Sequence, residues 1–357
     1  HIQSVVERRN TIPILSNVKL TAQEDCLDLN ATDMDLDIVV KVPTSVSIAG
    51  ATTAPAHTLY EIVRKLPEGS QVELESEENS NQLILRAARS NFTITCLSPE
   101  DFPVMGGGDP THSFSILGGN LRALIDRTRF AISMEETRYY LNGIYFHTAQ
   151  SDGTSVLRVV ATDGHRLASV ETVLPEGASD MPGVIIPRKA VTELRKLLDD
   201  CNEEVEVTLS ESKIRFTVNE SVLTSKLIDG TFPDYQRVIP EGNDKHLDVD
   251  TEIFGDAVDR VSAISNDKSR AVKMKISPGM LTLIATSNDI GSASEDLEVA
   301  YNGEEIEVGF NSRYLLDIAQ QIEGATMRFV LSDSASPTII REIDDSSTLY
   351  VLMPMRV

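Results

Sequence analysis

One chain of 357 residues carries the same stretch three times. Ala31-Thr32-Asp33 returns as Ala161-Thr162-Asp163 and, altered, as Ala285-Thr286-Ser287, at spacings of 130 and then 124 residues. A second landmark repeats in step: a helix-like stretch, a charged loop, two alternating apolar runs, then an aromatic or methionine before proline. It runs from Pro55 to Phe102-Pro103, from Pro187 to Phe232-Pro233 and from Phe310 to Met353-Pro354. Units of a solenoid share one core and are far shorter than this. A period near 130 fits an independent domain instead. The chain therefore reads as three tandem domains, 1–111, 112–244 and 245–357, joined by Gly- and Pro-rich linkers at 106–110 and 240–244.

Each unit should hold two helices among short strands, an α+β pattern. In the middle unit Leu121, Leu124, Ile125 and Ile132 make one apolar stripe, opposite Arg122, Asp126 and Arg129. A second stripe, Val191, Leu194, Leu197 and Leu198, follows Pro187, a residue suited to a first helical turn. The runs Val205/Val207/Leu209, Ile214/Phe216/Val218 and Leu223/Ser225/Leu227 keep the two-residue period of strands. Their outward positions are rich in Glu, whereas the helices carry Arg and Lys. The first unit has only 31 residues before Thr32, so its opening strand and the start of its first helix are expected to be missing.

The net charge of −23 argues against a nucleic-acid partner if taken as a single figure, because phosphate binding needs concentrated Lys and Arg. With no Trp and 5% aromatic residues, a base-stacking platform is also excluded. Cys26, Cys96 and Cys201 are scattered and odd in number, which excludes a disulfide framework and points to a reducing, cytoplasmic setting. No apolar run is long enough to span a membrane.

Several groups look chemical. Asp33, Asp35 and Asp37 resemble metal ligands, but the sixth and twelfth positions of a calcium loop are Ile38 and Thr44. The alternation with Met34, Leu36 and Ile38 reads as a strand with one acidic face, and no metal or cofactor is expected. Asp163-Gly164-His165-Arg166 could supply a base and its orienter for a hydrolase, yet no nucleophile signature accompanies it. A structural or binding turn is favoured, and no catalytic residue is assigned. Tyr139-Tyr140-Leu141-Asn142-Gly143 reads as strand plus turn, with one tyrosine on each face. Met353-Pro354-Met355-Arg356-Val357 is an unusually apolar terminus, suited either to a core strand or to an adaptable groove.

Taken together, Thr162 to Leu167, Tyr139 to Gly143, Thr224-Ser225-Lys226-Leu227 with Phe232-Pro233-Asp234-Tyr235, and Met353-Pro354-Met355-Arg356 resemble the bacterial sliding clamp family, the β subunit of DNA polymerase III. Thr11-Ile12-Pro13-Ile14-Leu15 and Leu66-Pro67-Glu68-Gly69 extend the resemblance over essentially the whole chain. It implies three tandem copies of a DNA-clamp domain, with helices lining a ring and antiparallel sheets outside. A head-to-tail homodimer would encircle duplex DNA without reading its sequence. Expected partners are the α subunit of DNA polymerase III, the clamp loader, translesion polymerases and repair proteins, all bound through short apolar motifs.

The same resemblance assigns residues. The partner-peptide pocket would comprise Leu141, Thr162, Gly164, His165, Arg166, Leu167, Pro233, Arg237, Val238, Pro337, Val351, Met353, Pro354, Met355 and Arg356. It would be an apolar floor rimmed by Arg and His, although the family often has a small polar residue where Pro337 stands. DNA contacts map to Arg9, His57, Tyr139 and Tyr140, with His57 replacing a basic residue and Glu135 standing where Gln is frequent. The subunit interface maps to Phe92 and Ile94 in the first unit and Ile264 in the third. A hydrolase using Asp163 and His165, or an acidic scaffold with no DNA role, are the competing readings.

Overall fold

The computed structural model describes residues 1–8, 10–76, 81–106, 108–199, 201–265 and 270–356. The two apolar stripes of the middle repeat become the helices Gly118–Arg129 and Arg188–Leu197; Ile132 falls just past the first and Leu198 caps the second, and all the stripe residues are buried. Pro187 is the N-cap of the second helix rather than its first-turn residue. Its φ of −60° still presets the entry, and its missing amide costs nothing there. The first repeat contributes Ile2–Val5 and Ala56–Val63, and the third contributes Thr251–Ser262 and Ser312–Ala319. The strands Glu204–Leu209, Lys213–Val218 and Ser221–Lys226 fall where the alternation predicts them.

Strand order carries the main architectural result. One eight-stranded antiparallel sheet runs Gly50–Pro55, Asn17–Gln23, Cys26–Thr32, Leu36–Pro43, Ser221–Lys226, Lys213–Val218, Glu204–Leu209, His112–Leu117. Another runs Val184–Pro187, Gly143–Ser151, Thr154–Thr162, Arg166–Val173, Thr348–Leu352, Thr338–Glu342, Thr326–Leu331, Lys245–Asp250. The two orders match strand for strand. In each, four strands from the front of one repeat meet four from the next. The joint lies between the strand that follows the Ala-Thr landmark of one repeat and the last strand of its successor: Leu223 pairs with Ile38, and Leu167 with Val351.

Packing therefore does not follow the repeat boundaries. One compact unit contains residues 1–122, 175–181 and 186–227, and the other contains 123–174, 182–185 and 228–357. The middle repeat is shared between them because each of its half-sheets is completed by a different neighbour. Two smaller sheets remain. The first repeat ends in the three strands Glu73–Ser76, Gln82–Ala87 and Ser90–Thr95, in that order. The third repeat contributes the four-stranded order Gly291–Glu298, Met280–Ser287, Ala271–Ser277, Ile306–Asn311.

Two local expectations are corrected. The strand predicted through Asp33, Asp35 and Asp37 begins only at Leu36, because Met34 adopts φ 77° and the segment before it is a turn. Asp37 is not on a wet face but 5% exposed. Tyr139 and Tyr140 lie in the 3₁₀ helix Glu136–Leu141, not in a strand. Successive residues there point about 120° apart, so Tyr139 is exposed and Tyr140 packs on the core, with ring centroids 5.8 Å apart.

Candidate functional sites

The turn between Thr154–Thr162 and Arg166–Val173 organises the second unit. The Thr162 hydroxyl donates to the Arg166 carbonyl (2.7 Å) and accepts from the Gly164 amide (3.1 Å). One Asp163 carboxylate oxygen accepts from the His165 and Arg166 amides at 2.9 and 3.0 Å. The other accepts from Arg166 Nε at 3.1 Å. Gly164 has φ +88°, and a Cβ there would lie 2.5 Å from Arg138 Nη1. Both demands leave glycine the fitting residue. Asp163 is thus spent on the turn and does not orient the His165 ring, which removes the base–orienter pair that a hydrolase would need. The first repeat builds the same turn: Thr32 bonds the Leu36 carbonyl and the Met34 amide, and Asp33 accepts from the Asp35 and Leu36 amides.

Behind the turn, Leu141, Val160, Leu167, Ile185, Phe232, Tyr235 and Val351 form one buried apolar cluster, with Tyr140, Tyr145, Ile228 and Ile239 packed against it. Register explains the grouping. Thr162 lies opposite Leu167, Leu167 opposite Val351, and Val351 opposite Ile339, so one row crosses four strands on one face. Tyr145 stacks on Phe232 at 4.8 Å and on His147 at 4.4 Å. The Tyr235 hydroxyl sits 3.1 Å from His147 Nε2 and accepts from Arg158, which also binds Glu171 through two nitrogens. Burial pushes the His147 imidazolium below its usual range; its Nδ1–H donates to the Thr148 carbonyl at 2.8 Å, which leaves Nε2 to accept a hydrogen bond from the Tyr235 hydroxyl.

The terminal strand brings the last residues to this turn. The Met353 amide donates to the His165 carbonyl at 2.9 Å, and the Met355 amide to the Gly309 carbonyl at 2.7 Å. Pro337 is held by its carbonyl, which accepts from Asn243 Nδ2 at 2.9 Å. Met353, Val238, Pro233, Arg237, His165 and Arg356 are exposed, whereas Pro354 and Met355 are half-buried. Arg166 departs from its expected place on the rim. Its guanidinium is buried, bonded to Asp163, Asp317 and the Phe130 carbonyl, and stacked 4.2 Å from the Tyr314 ring centroid. A cation so fully engaged braces the pocket wall.

Two residues were missed from the sequence. Ile339 completes the four-strand row, and only strand register reveals it. Arg138 packs its guanidinium on Gly164, donates to the Asp163 carbonyl at 2.9 Å and grips Glu135 through two nitrogens. Those bonds from Arg138 hold the Glu135 carboxyl below its usual range.

Of the residues assigned to DNA, Arg9 lies outside the described residues. Both His57 ring nitrogens are occupied: Nε2 is 3.0 Å from the Val6 carbonyl and Nδ1 is 2.8 Å from Gln3 Nε2. His57 therefore anchors the helix Ile2–Val5. Of the two tyrosines, Tyr139 is the one open to solvent. Phe92 and Ile94 lie on Ser90–Thr95, an edge of the three-stranded sheet, and Ile264 follows the helix Thr251–Ser262.

Three family models cover the chain: the N-terminal domain of the DNA polymerase III beta subunit matches residues 1–106, the central domain 116–234 and the C-terminal domain 236–356. The beta sliding clamp of Caulobacter vibrioides is 50% identical over 357 residues, covering 100% of this chain and 96% of that protein. A crystal structure of a sliding clamp from Bartonella birtlesii bound to griselimycin is 51% identical, with a TM-score of 0.96, covering 100% of this chain and 95% of that one. A beta sliding clamp structure from C. crescentus gives 50% identity and a TM-score of 0.97, with 100% and 95% coverage.

Proposed function

Because this chain belongs to the DNA polymerase III beta subunit family, the bacterial sliding clamps, we propose that two copies close head-to-tail into a ring around duplex DNA and recruit partners through the second unit's pocket. The protein is a non-catalytic processivity factor of DNA replication. Its family implies DNA and polymerase as partners.

One observation carries the ring. In both large sheets, the strand after the Ala-Thr landmark of a repeat pairs with the last strand of the next. Two strands of this kind are left over: Gly291–Glu298, which follows Ala285-Thr286 in the last repeat, and Ser90–Thr95, last in the first repeat. Each is an unpaired edge among the described residues. A second copy, placed head-to-tail, supplies the missing neighbour at both ends, giving a heterologous contact that closes by rotation. Phe92 and Ile94 then stand at the joint, with Ile264 beside it.

Weak lumen contacts suit sliding. Lys189 pairs with Asp33, Arg195 with Asp199, Lys196 with Glu193 and Arg129 with Asp126, so much of the helix cation is neutralised locally. DNA would be held by topology, with Tyr139 as a passing contact.

The pocket suits a short apolar motif. Leu and Phe anchors would reach the Leu167–Val351 row past Val238, Met353 and Met355, while Arg237, His165 and Arg356 hold the polar flanks. We assign the polymerase α subunit, clamp loader, translesion polymerases and repair proteins to this one site, and the bacterial cytoplasm as its setting. The complex of the Bartonella relative with griselimycin supports a ligand pocket in the family.

The test is retention by topology. Clamp loaded on a nicked circle should stay until the circle is cut, then leave. Equal retention on linear DNA would refute encirclement.

A further inference from the structure

We propose that the first unit carries a second peptide-docking site, the pseudo-equivalent of the partner pocket, whose centre is polar and takes a cationic side chain flanked by apolar ones. Matching strand orders make the comparison residue by residue. Leu15 and Leu141 stand two residues before the matching strands Asn17–Gln23 and Gly143–Ser151, and Phe102 and Phe232 both precede the marker proline. Thr32 lies opposite Asp37, Asp37 opposite Thr224, and Thr224 opposite Arg215. This is the row that reads Thr162, Leu167, Val351, Ile339 in the second unit. By the same alignment Asn30 stands for Val160 and Thr53 for Ile185.

Of the seven positions that form one apolar cluster in the second unit, Tyr235 has an apolar counterpart in Met105, and the other six split in the first unit. Leu15 and Phe102 keep an apolar group with Ile14. Asn30, Asp37, Thr53 and Thr224 make the remainder polar. Thr53 is satisfied by Asn17 and by the Leu97 backbone. Asp37 is not: it is 5% exposed, and among the described residues its Oδ2 meets only Asn30 Nδ2 at 3.4 Å and its Oδ1 has no partner. Asn30 Oδ1 and Arg215 Nε are likewise buried and unpaired among the described residues. Three such atoms in one sheet, Asp37 and Arg215 in the same row, are unusual, since buried polar groups are nearly always bonded. Two of the three are acceptors, one of them on a carboxylate whose burial the Arg215 charge offsets only in part, so the missing group is a donor and a further cation. Arg215 Nε would take a carbonyl of the same peptide.

The surroundings suit such a segment. Ile12, Met34, Leu97 and Val104 are all exposed, Val104 by 84%, at positions flanking Leu15, the Thr32 turn, Thr53 and Phe102. Leu97 is tied to the polar centre through Thr53. Asp35 adds a carboxylate at the turn where the second unit has His165. An apolar motif that fills the second unit's pocket would leave Asp37 and Asn30 unsatisfied here. The two sites therefore select different peptides.

The probe is a capped, fluorescein-labelled peptide, Gly-Leu-Arg-Leu-Phe-Gly, followed by anisotropy on the full chain. A second version carries Gln in place of Arg. Saturable binding at one peptide per chain is expected, weakened about tenfold or more by Asp37→Asn and by the Gln version, and unchanged by Val238→Asp in the other pocket. Asp37→Asn keeps the side-chain shape, and its thermal midpoint, no lower than that of the parent, confirms folding. Absence of saturable binding, or equal affinity for the Gln peptide or by the Asp37→Asn protein, would overturn the site. Loss on Val238→Asp alone would overturn it too, because the peptide would then sit in the second unit.

Discussion

Asp37 and Leu167 hold the same place in two copies of one strand, and the difference between them has a measurable energetic signature. Burial pushes the Asp37 carboxyl up to about 6 from 3.8, and the Asn30 hydrogen bond and the Arg215 charge offset this only in part. An acid with a raised folded-state pKa binds its proton more tightly when folded. Its penalty is absent below about pH 4, grows between pH 4 and 6 and is complete above that range. A shift of this size corresponds to roughly 2–3 kcal/mol at neutral pH. Asp37→Asn is therefore expected to be more stable than the parent by about 2 kcal/mol at pH 7.5, with the gap closing toward pH 4. Urea unfolding at both pH values measures it, and a gap that does not vary with pH would contradict the buried-carboxylate account. None of this is legible in the string Asp33 to Ile38, whose alternation suggests a uniformly wet acidic face. A single left-handed residue, Met34, ends that pattern by turning the chain before the strand begins.

At the level of elements, period and capping chemistry were readable and local conformation was less so. The helix Thr251–Ser262 begins where Asp250 Oδ1 accepts from the Ile253 amide at 2.9 Å, satisfying one of the otherwise bare first-turn donors. Asp250→Ala should cost about 1 kcal/mol and lower the thermal midpoint by about 2 °C, while Asp250→Asn should cost little. If both variants melted alike and below the parent, the charge rather than the cap would be responsible. The stretch Tyr139 to Leu141 shows the opposite case. Its aromatic and β-prone composition suggests a strand, but the Glu135–Arg138 pair and the demands of the Gly164 turn draw it into a 3₁₀ helix. Arg166 likewise has the appearance of a rim cation in sequence. Asp317, 151 positions away, and the Phe130 carbonyl are what draw it inward.

For the whole molecule, the strand that joins repeats is also the strand that should join subunits. Phe92→Asp places a charge on the free edge Ser90–Thr95 and is expected to shift the sedimentation profile from dimer toward monomer at micromolar concentration. An unchanged dimer would mean that the subunits meet elsewhere. The sequence alone determined the number of repeats, the helix stripes, the alternating strands and the family, because each is written in local periodicity or short motifs. Several matters depended on partners more than a hundred residues apart, and only the tertiary structure decided them. The middle repeat is divided between two sheets. Leu167, Val351 and Ile339 share one row. Asp37 is buried where its counterpart is apolar. Strand register sets all three, and register is a property of pairs of segments, which no single segment of the chain encodes.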